Sequence, residues 1–126
     1  MATVRVDADT LHVELSRMDV FVWTVHGSFH LPLANVSGAS TTKPPSFWES
    51  LKLLGSNVPG FKMGGTFLYH GDVVFFDYVA RDDAVLVVDL TGNRYKHLFV
   101  HVDAPDTPEA AAKRINDALA ARSPAT

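Results

Sequence analysis

The stretch TFLYHGDVVFFDYVARDDAVLVVDL, residues 66–90, decides the fold class of this chain. Its first part predicts a β-hairpin, because β-branched and aromatic runs flank a turn at residues 70–72. Its last part, residues 84–90, is the most apolar run of the sequence and predicts a central strand. Residues 81–83, between the two parts, predict a solvated turn.

Further strand patterns lie upstream of this stretch. Residues 11–16 alternate between apolar and polar side chains, and residues 20–26 are β-branched and aromatic. Pro32 restricts the short apolar run FHLPL, residues 29–33, to a sheet edge or a strand end. Residues 35–40 favour a brief further strand. Because the connections are short, the strands should pair antiparallel.

The segment YKHLFVHVD, residues 95–103, also alternates. We expect Leu98, Val100 and Val102 to face the core. The residues expected to face outward are Tyr95, His97, Phe99 and His101.

The end of the chain predicts a helix at about residues 108–121. Thr107 is a natural N-cap, Pro108 suits the first helical position, and Glu109 lies near the positive helix start. The apolar stripe consists of Ala111, Ile115, Ala118 and Leu119. The whole pattern predicts one mainly β domain over residues 1–126. It is a bent antiparallel barrel or sandwich of six to seven strands, at about residues 4–103, capped by this helix.

The segment GSNVPGFKMGGTF, residues 55–67, raises the question of a phosphate-binding loop. Gly55 and Gly60 match the first two positions of such a loop, but Phe61 takes the lysine position and Lys62 the hydroxyl position. We therefore interpret the segment as a structural connection that steers the backbone into the hairpin. The residues of this structural loop are Gly55, Pro59, Gly60, Gly64 and Gly65.

Several segments, taken in order, resemble a family. FW at residues 47–48, LKLLGSNVPGFKMGGTF, FFDY, AVLVVDL and YKHLFVHVDAPDTPEAAAKRI are similar to small actinobacterial-type proteins of unknown function with a pleckstrin-homology-like domain. The resemblance covers roughly residues 48–115. It implies a pleckstrin-homology-like fold and carries no catalytic residue. One departure is Ala104, which separates Asp103 from the proline that follows the last strand.

Residues 47–54 are ambiguous. Ser46 and Glu49 form a capping-box pattern and Gly55 could end a helix, so the local reading is helical. The family pattern is extended there. We expect at most one helical turn near residues 47–50, followed by irregular chain.

Composition excludes several classes of function. The net charge of -3 disfavours nucleic acid, and the absence of cysteine excludes disulfides and thiolate sites. We expect a cytoplasmic protein, because no apolar leader or span is present. In the turn where related domains bind lipid head groups, the negative charge of Asp19 offsets the positive charge of Arg17. We therefore expect any membrane association to be weak.

The six histidines raise the question of metal binding. His26 and His30, like His97 and His101, are four residues apart and would lie about 13 Å apart along a strand. One zinc ion cannot bind both members of such a pair, so we expect no metal and no cofactor. A cross-strand site that joins His101 to a neighbouring His or Asp is left open.

The remaining reading is a non-enzymatic binding or assembly module that contacts a protein or peptide or associates with itself. No Gly-x-Ser-x-Gly elbow is present, and Asp82 and Asp83 are adjacent in a turn, so we predict no catalytic residues. The alternatives are a small enzyme, metal-dependent or not, that uses surface histidines, and a weak head-group binder. The expected interaction surface comprises Phe47, Trp48, Lys62, Tyr95, His97, Phe99 and His101.

Overall fold

A computed structural model describes residues 2–7, 9–16, 27–45, 50–58, 62–79 and 82–122, with the backbone alone at 50–58 and 62. The strands are β1 (Ala2–Asp7), β2 (Thr10–Leu15), β3 (Phe29–Pro32), β4 (Val36–Thr42), β5 (Ser50–Val58), β6 (Lys62–Tyr69), β7 (Asp72–Val79), β8 (Val85–Leu90) and β9 (His97–Val100). A 3-10 turn at Leu33–Asn35 precedes β4, and the helix α1 (Pro108–Ala121) ends the described chain.

The strands form two sheets. The smaller sheet has the order β1-β2-β3, and the larger has the order β4-β8-β9-β7-β6-β5. The mainly β class and the C-terminal helix are confirmed, but six to seven strands was an underestimate. The expectation of purely antiparallel pairing was also wrong, because β7 and β9 pair in parallel. Strand β8, from the apolar run at residues 84–90, lies inside the larger sheet as predicted.

One hydrophobic core lies between the two sheets and the helix. The small sheet contributes residues such as Leu11 and Phe29, the large sheet Phe75 and Leu98, and α1 contributes Ile115. Phe29 meets Phe75 edge-to-face with ring centroids 4.8 Å apart, which ties β3 to β7. The layers are therefore held together by packing and by a backbone bridge between Ala2 and Val102, and the described strands do not close into a single barrel.

The large sheet is apolar on its second face as well. Alternate residues of β7, β8 and β9 turn away from the main core and form a second buried cluster with residues of β6. Its members are Met63, Phe67, Val74, Phe76, Tyr78, Val85, Val87 and Phe99. Strands buried on both faces lose the clean apolar-polar alternation on which the assignment of faces from sequence depends.

The expectation of irregular chain within residues 47–54 was wrong from Ser50 onward. The chain there is neither helical nor irregular, because β5 pairs antiparallel with β6 over its whole length. The described parts of the glycine-rich segment, residues 55–58 and 62–67, are consequently strands of a hairpin ladder and not a connection into one. Gly55 lies opposite Gly65, and Gly64 opposite Ser56. Gly65 has a φ of 123°, a conformation that favours glycine.

The hairpin predicted around residues 70–72 is confirmed, with Tyr69 paired to Asp72 and His70-Gly71 at the turn. The expected strand at residues 20–26 lies outside the described residues. No helix among the residues that the structure describes is long and apolar enough to cross a membrane.

Helix α1 begins as the sequence predicts. The Thr107 side chain accepts a hydrogen bond from the Ala110 backbone N–H at 3.1 Å. The buried face carries Ala111, Ala112 and Ile115. At the other side of the helix, the Asn116 amide donates to the Ala39 carbonyl and accepts from the Ala39 N–H. Asn116 thus occupies backbone groups of β4, an edge strand of the large sheet.

Candidate functional site

A cleft of about 340 Å³ opens where the turn before β8, the end of β9 and the start of α1 meet. We call it the His101 cleft. Its lining residues are Asp82, Asp83, Ala84, His101, Val102, Thr107, Pro108 and Glu109. Three separate parts of the chain contribute to the cleft, and the sheet and the helix hold their relative positions.

A histidine–aspartate pair forms one wall of the His101 cleft. The Nδ1 of His101 lies 3.0 Å from Oδ1 of Asp82, and the side chains are 29% and 10% exposed, respectively. The second carboxylate oxygen, Oδ2, accepts from the Val79 N–H at 3.2 Å. The backbone N–H of His101 donates to the Asp77 carbonyl at 2.8 Å, which fixes the chain just beyond β9. The pair is therefore anchored at both residues.

The partner atom determines the tautomer of His101. An ionised carboxylate only accepts hydrogen bonds, so Nδ1 of His101 must donate to Asp82. In the neutral imidazole the second nitrogen, Nε2, then carries a lone pair and accepts a hydrogen bond or binds an electrophile. His101 is thus an oriented acceptor, held by a carboxylate that is itself largely buried.

The described lining of the cleft is acidic. Its described lining contains three carboxylate side chains, one imidazole, and neither lysine nor arginine. Glu109 lies in the first turn of α1, where the positive end of the helix favours a carboxylate. Ala84, Val102 and Pro108 supply apolar surface beside these groups. The combination suits a ligand that carries hydrogen-bond donors or a positive charge on a short apolar stem.

The cleft lacks the usual components of covalent catalysis among its described residues. Its one hydroxyl group belongs to Thr107, which caps the helix. Within the described chain, no group of three or more His, Cys, Asp or Glu side chains is arranged to hold a metal ion.

Those residues of the expected interaction surface whose side chains are described do not form one surface. Tyr95 and Phe99 do not face outward as expected, because they are only 2% and 6% exposed. Phe99 packs in the second cluster, and Tyr95 in the main core. His97 is partly exposed, but its Nδ1 pairs with Asp89 of β8 at 2.6 Å, away from the cleft lining. Of the expected residues whose side chains the structure describes, only His101 lines the cleft.

The structure does not describe several other residues that the sequence predicted to be functional or structural. Phe47, Trp48, Pro59 and Gly60 lie outside the described residues, as do Arg17 and Asp19 of the turn considered for lipid binding. Lys62 begins β6, and its side chain is not among those described.

Sequence reasoning missed the partner of His101. Asp82 was expected in a solvated turn, and its backbone N–H donates to the Val79 carbonyl at 3.1 Å. The carboxylate, however, folds inward and reaches His101, 19 residues away in the sequence. The hypothesis of a cross-strand His–Asp contact at His101 was the sequence signal closest to this arrangement.

A scan against protein-family models finds no match for this chain, and searches of curated proteins and of solved structures also find none.

Proposed function

We propose that this protein is a non-enzymatic binding module and that the His101 cleft receives a basic peptide or protein segment. The observation that carries the proposal is the pair of His101 with the largely buried Asp82, because Nδ1 is engaged by the carboxylate and Nε2 of this cleft-lining residue is left as the acceptor. The sequence resemblance to pleckstrin-homology-like domains supports the same class of function, because it brings no catalytic residue with it.

Charge complementarity supports the choice of ligand. A lysine, arginine or free amino terminus could donate to Nε2 of His101 while it lies near Asp83 and Glu109, which are both exposed in the structure. The apolar residues Ala84, Val102 and Pro108 could contact the aliphatic part of such a side chain. The chain's net charge of -3 favours encounter with a basic partner.

The test uses two matched histidines. His101 and His97 have nearly equal side-chain exposure, 29% and 28%, and each pairs with an aspartate, but only His101 lines the cleft. In His101→Asn, the amide can still donate to Asp82 while the acceptor Nε2 is lost. His97→Asn is the control.

Peptides selected from a displayed random library on the immobilised wild-type protein are synthesised, and their affinities are measured by calorimetry. We expect enrichment of Lys or Arg, and a loss of roughly tenfold or more in affinity for His101→Asn, because a hydrogen bond to a charged group is removed. His97→Asn should bind like the wild type. Selected peptides without basic residues, or equal losses in both variants, would count against the proposal.

The second candidate is an enzyme in which His101 acts as general base, since a carboxylate that orients Nδ1 is also the arrangement used in hydrolases. The same two variants separate the candidates. Turnover of p-nitrophenyl acetate that is lost in His101→Asn and kept in His97→Asn would favour the enzyme.

Self-association and a cytoplasmic location stay predictions. Light scattering coupled to size-exclusion chromatography tests the first, and cell fractionation tests the second.

A further inference from the structure

Two histidines lie side by side on the outer face of the small sheet. They are distant in sequence from the residues that line the His101 cleft. His12 of β2 and His30 of β3 are directly opposite each other in the antiparallel ladder. Their Nδ1 atoms are 2.6 Å apart, and the ring centroids are 4.9 Å apart at an interplanar angle of 68°. Their neighbours Leu11, Val13, Phe29 and Leu31 are buried, so the alternation of the strands places both imidazoles on the opposite, outer face.

The contact itself constrains the protons. Two imidazole nitrogens at hydrogen-bond distance need one donor and one acceptor, so a single proton lies between the two Nδ1 atoms. Two protonated Nδ1 atoms would oppose each other. One Nδ1 therefore carries the proton and the lone pair of the other accepts it, so the two nitrogens share a single proton position.

We propose that His12 and His30 form a bidentate site for a divalent transition-metal ion, of the class to which Cu²⁺, Ni²⁺ and Zn²⁺ belong. Imidazole nitrogen is a preferred ligand for these ions. Two such nitrogens bound to one ion at about 2.0–2.1 Å stand roughly 3 Å apart. The observed 2.6 Å needs only a small opening, which the exposed ring of His30 can supply by rotation. The proton on Nδ1 of the donor ring moves to its Nε2, so a neutral pair binds the ion without net proton release.

The surrounding charges permit a cation. Arg5 of β1 lies directly opposite His12 in the ladder and brings a positive charge to this face. Its guanidinium lies 3.5 Å from Asp7 and 3.8 Å from Glu14, so two carboxylates offset it. On the other side of β3, Arg94 lines the shallow groove that His30 also borders. Its guanidinium stacks over the Tyr95 ring at 4.8 Å.

The protein supplies two ligands only. No third His, Cys, Asp or Glu completes a metal site in the part of the chain that the structure describes. Water or a donor from another molecule would fill the remaining positions, so the ion should exchange readily. The site is independent of the proposed function, because none of its residues lines the His101 cleft.

The test is a titration of the full chain with ZnCl₂, followed by long-range ¹H–¹⁵N NMR of the imidazole nitrogens, with affinities from calorimetry. We expect the ring nitrogens of His12 and His30 to shift together, and those of His97 not to shift. Affinity should follow the order Cu²⁺ above Ni²⁺ and Zn²⁺, with no response to Mg²⁺.

Either His12→Ala or His30→Ala should weaken Zn²⁺ binding by about 100-fold, because the second contact of a chelate is intramolecular. His97→Ala is the control and should leave the affinity unchanged. Amide spectra verify that each variant folds, and the exposed position of His30 makes that variant decisive if His12→Ala does not fold. Unchanged affinity in His30→Ala, or shifts at other histidines in place of these two, would overturn the proposal.

Discussion

The Tyr95 side chain connects the layers of the fold at a single residue. Its ring meets Phe29 of the small sheet and Phe75 of the large sheet edge-to-face, with centroids 5.7 and 5.9 Å apart. Its hydroxyl lies 2.7 Å from Oγ1 of Thr66, a residue that is 4% exposed. A polar atom so deeply buried needs its partner, so the pair fixes both the ring and the strand β6 that carries Thr66.

Removal of one hydroxyl of this pair should destabilise the protein. Tyr95→Phe keeps the ring contacts and leaves Oγ1 of Thr66 without this partner, so we expect a loss of about 1–2 kcal/mol in the free energy of unfolding. Urea denaturation measures it. The double variant Thr66→Val/Tyr95→Phe should lose less than the sum of the single variants, because both partners are then apolar. An unchanged denaturation midpoint for Tyr95→Phe would show that the hydroxyl pair contributes nothing.

At the scale of elements, polar side chains hold α1 to the small sheet and to the segment before the helix. The Arg114 guanidinium donates to Asp106 at 2.6 Å and to the Val4 carbonyl of β1 at 3.1 Å. The hydrogen bond from Arg114 holds the pKa of Asp106 below its ordinary value of 3.8, against the opposing effect of burial. Asp106 therefore links the stability of the helix attachment to pH.

The pH dependence has a definite sign. A carboxyl group whose pKa is lower in the folded state stabilises the fold above pH 3.8, and this contribution disappears as the pH falls through the folded pKa. At pH 7, Asp106→Asn should cost about 0.5–1 kcal/mol, a modest value because solvent screens the half-exposed Arg114. The difference from the wild type should shrink toward zero in acid. Thermal unfolding across a pH series measures it.

The neighbouring pair on the same helix is the control. Lys113 and Asp117 lie 2.7 Å apart with side chains 77% and 64% exposed. The hydrogen bond from Lys113 to Asp117 raises the pKa of Lys113, but both groups are largely in water. Asp117→Asn should therefore leave the melting temperature unchanged. A difference between Asp106→Asn and the wild type that persists unchanged in strong acid would contradict the ion-pair account.

At the scale of the whole molecule, the elements that could be predicted from the sequence are those determined by residues close together in the chain. The hairpin at His70-Gly71 and the helix capped by Thr107 follow from turn and capping residues within a few positions. Strand β5 could not be predicted in this way, because its ladder with β6 overrides the turn propensity of Gly55 and its neighbours. The parallel pairing of β7 with β9 is equally a long-range outcome.

The residues of the candidate site were likewise only partly predictable from the sequence, because long-range pairing brings them together. Phe99 was assigned to the outer face because the alternation of β9 implies one buried side, whereas the large sheet buries both. The sequence identified His101 as an outward-facing residue, but it did not identify Asp82 as the partner of that histidine. Their contact depends on how β7, β8 and β9 are ordered in the sheet, and local sequence pattern does not determine that order.

The central claim is that the cleft beside His101 is where this protein binds its partner. Amide ¹H–¹⁵N NMR of the full chain during titration with a library-selected basic peptide tests it most directly. We predict that the largest shift changes fall on the three segments of the cleft, around Asp82–Ala84, His101–Val102 and Thr107–Glu109. In His101→Asn they should be much smaller at the same peptide concentration. Shift changes confined to the small sheet, or identical changes in His101→Asn and the wild type, would contradict the claim.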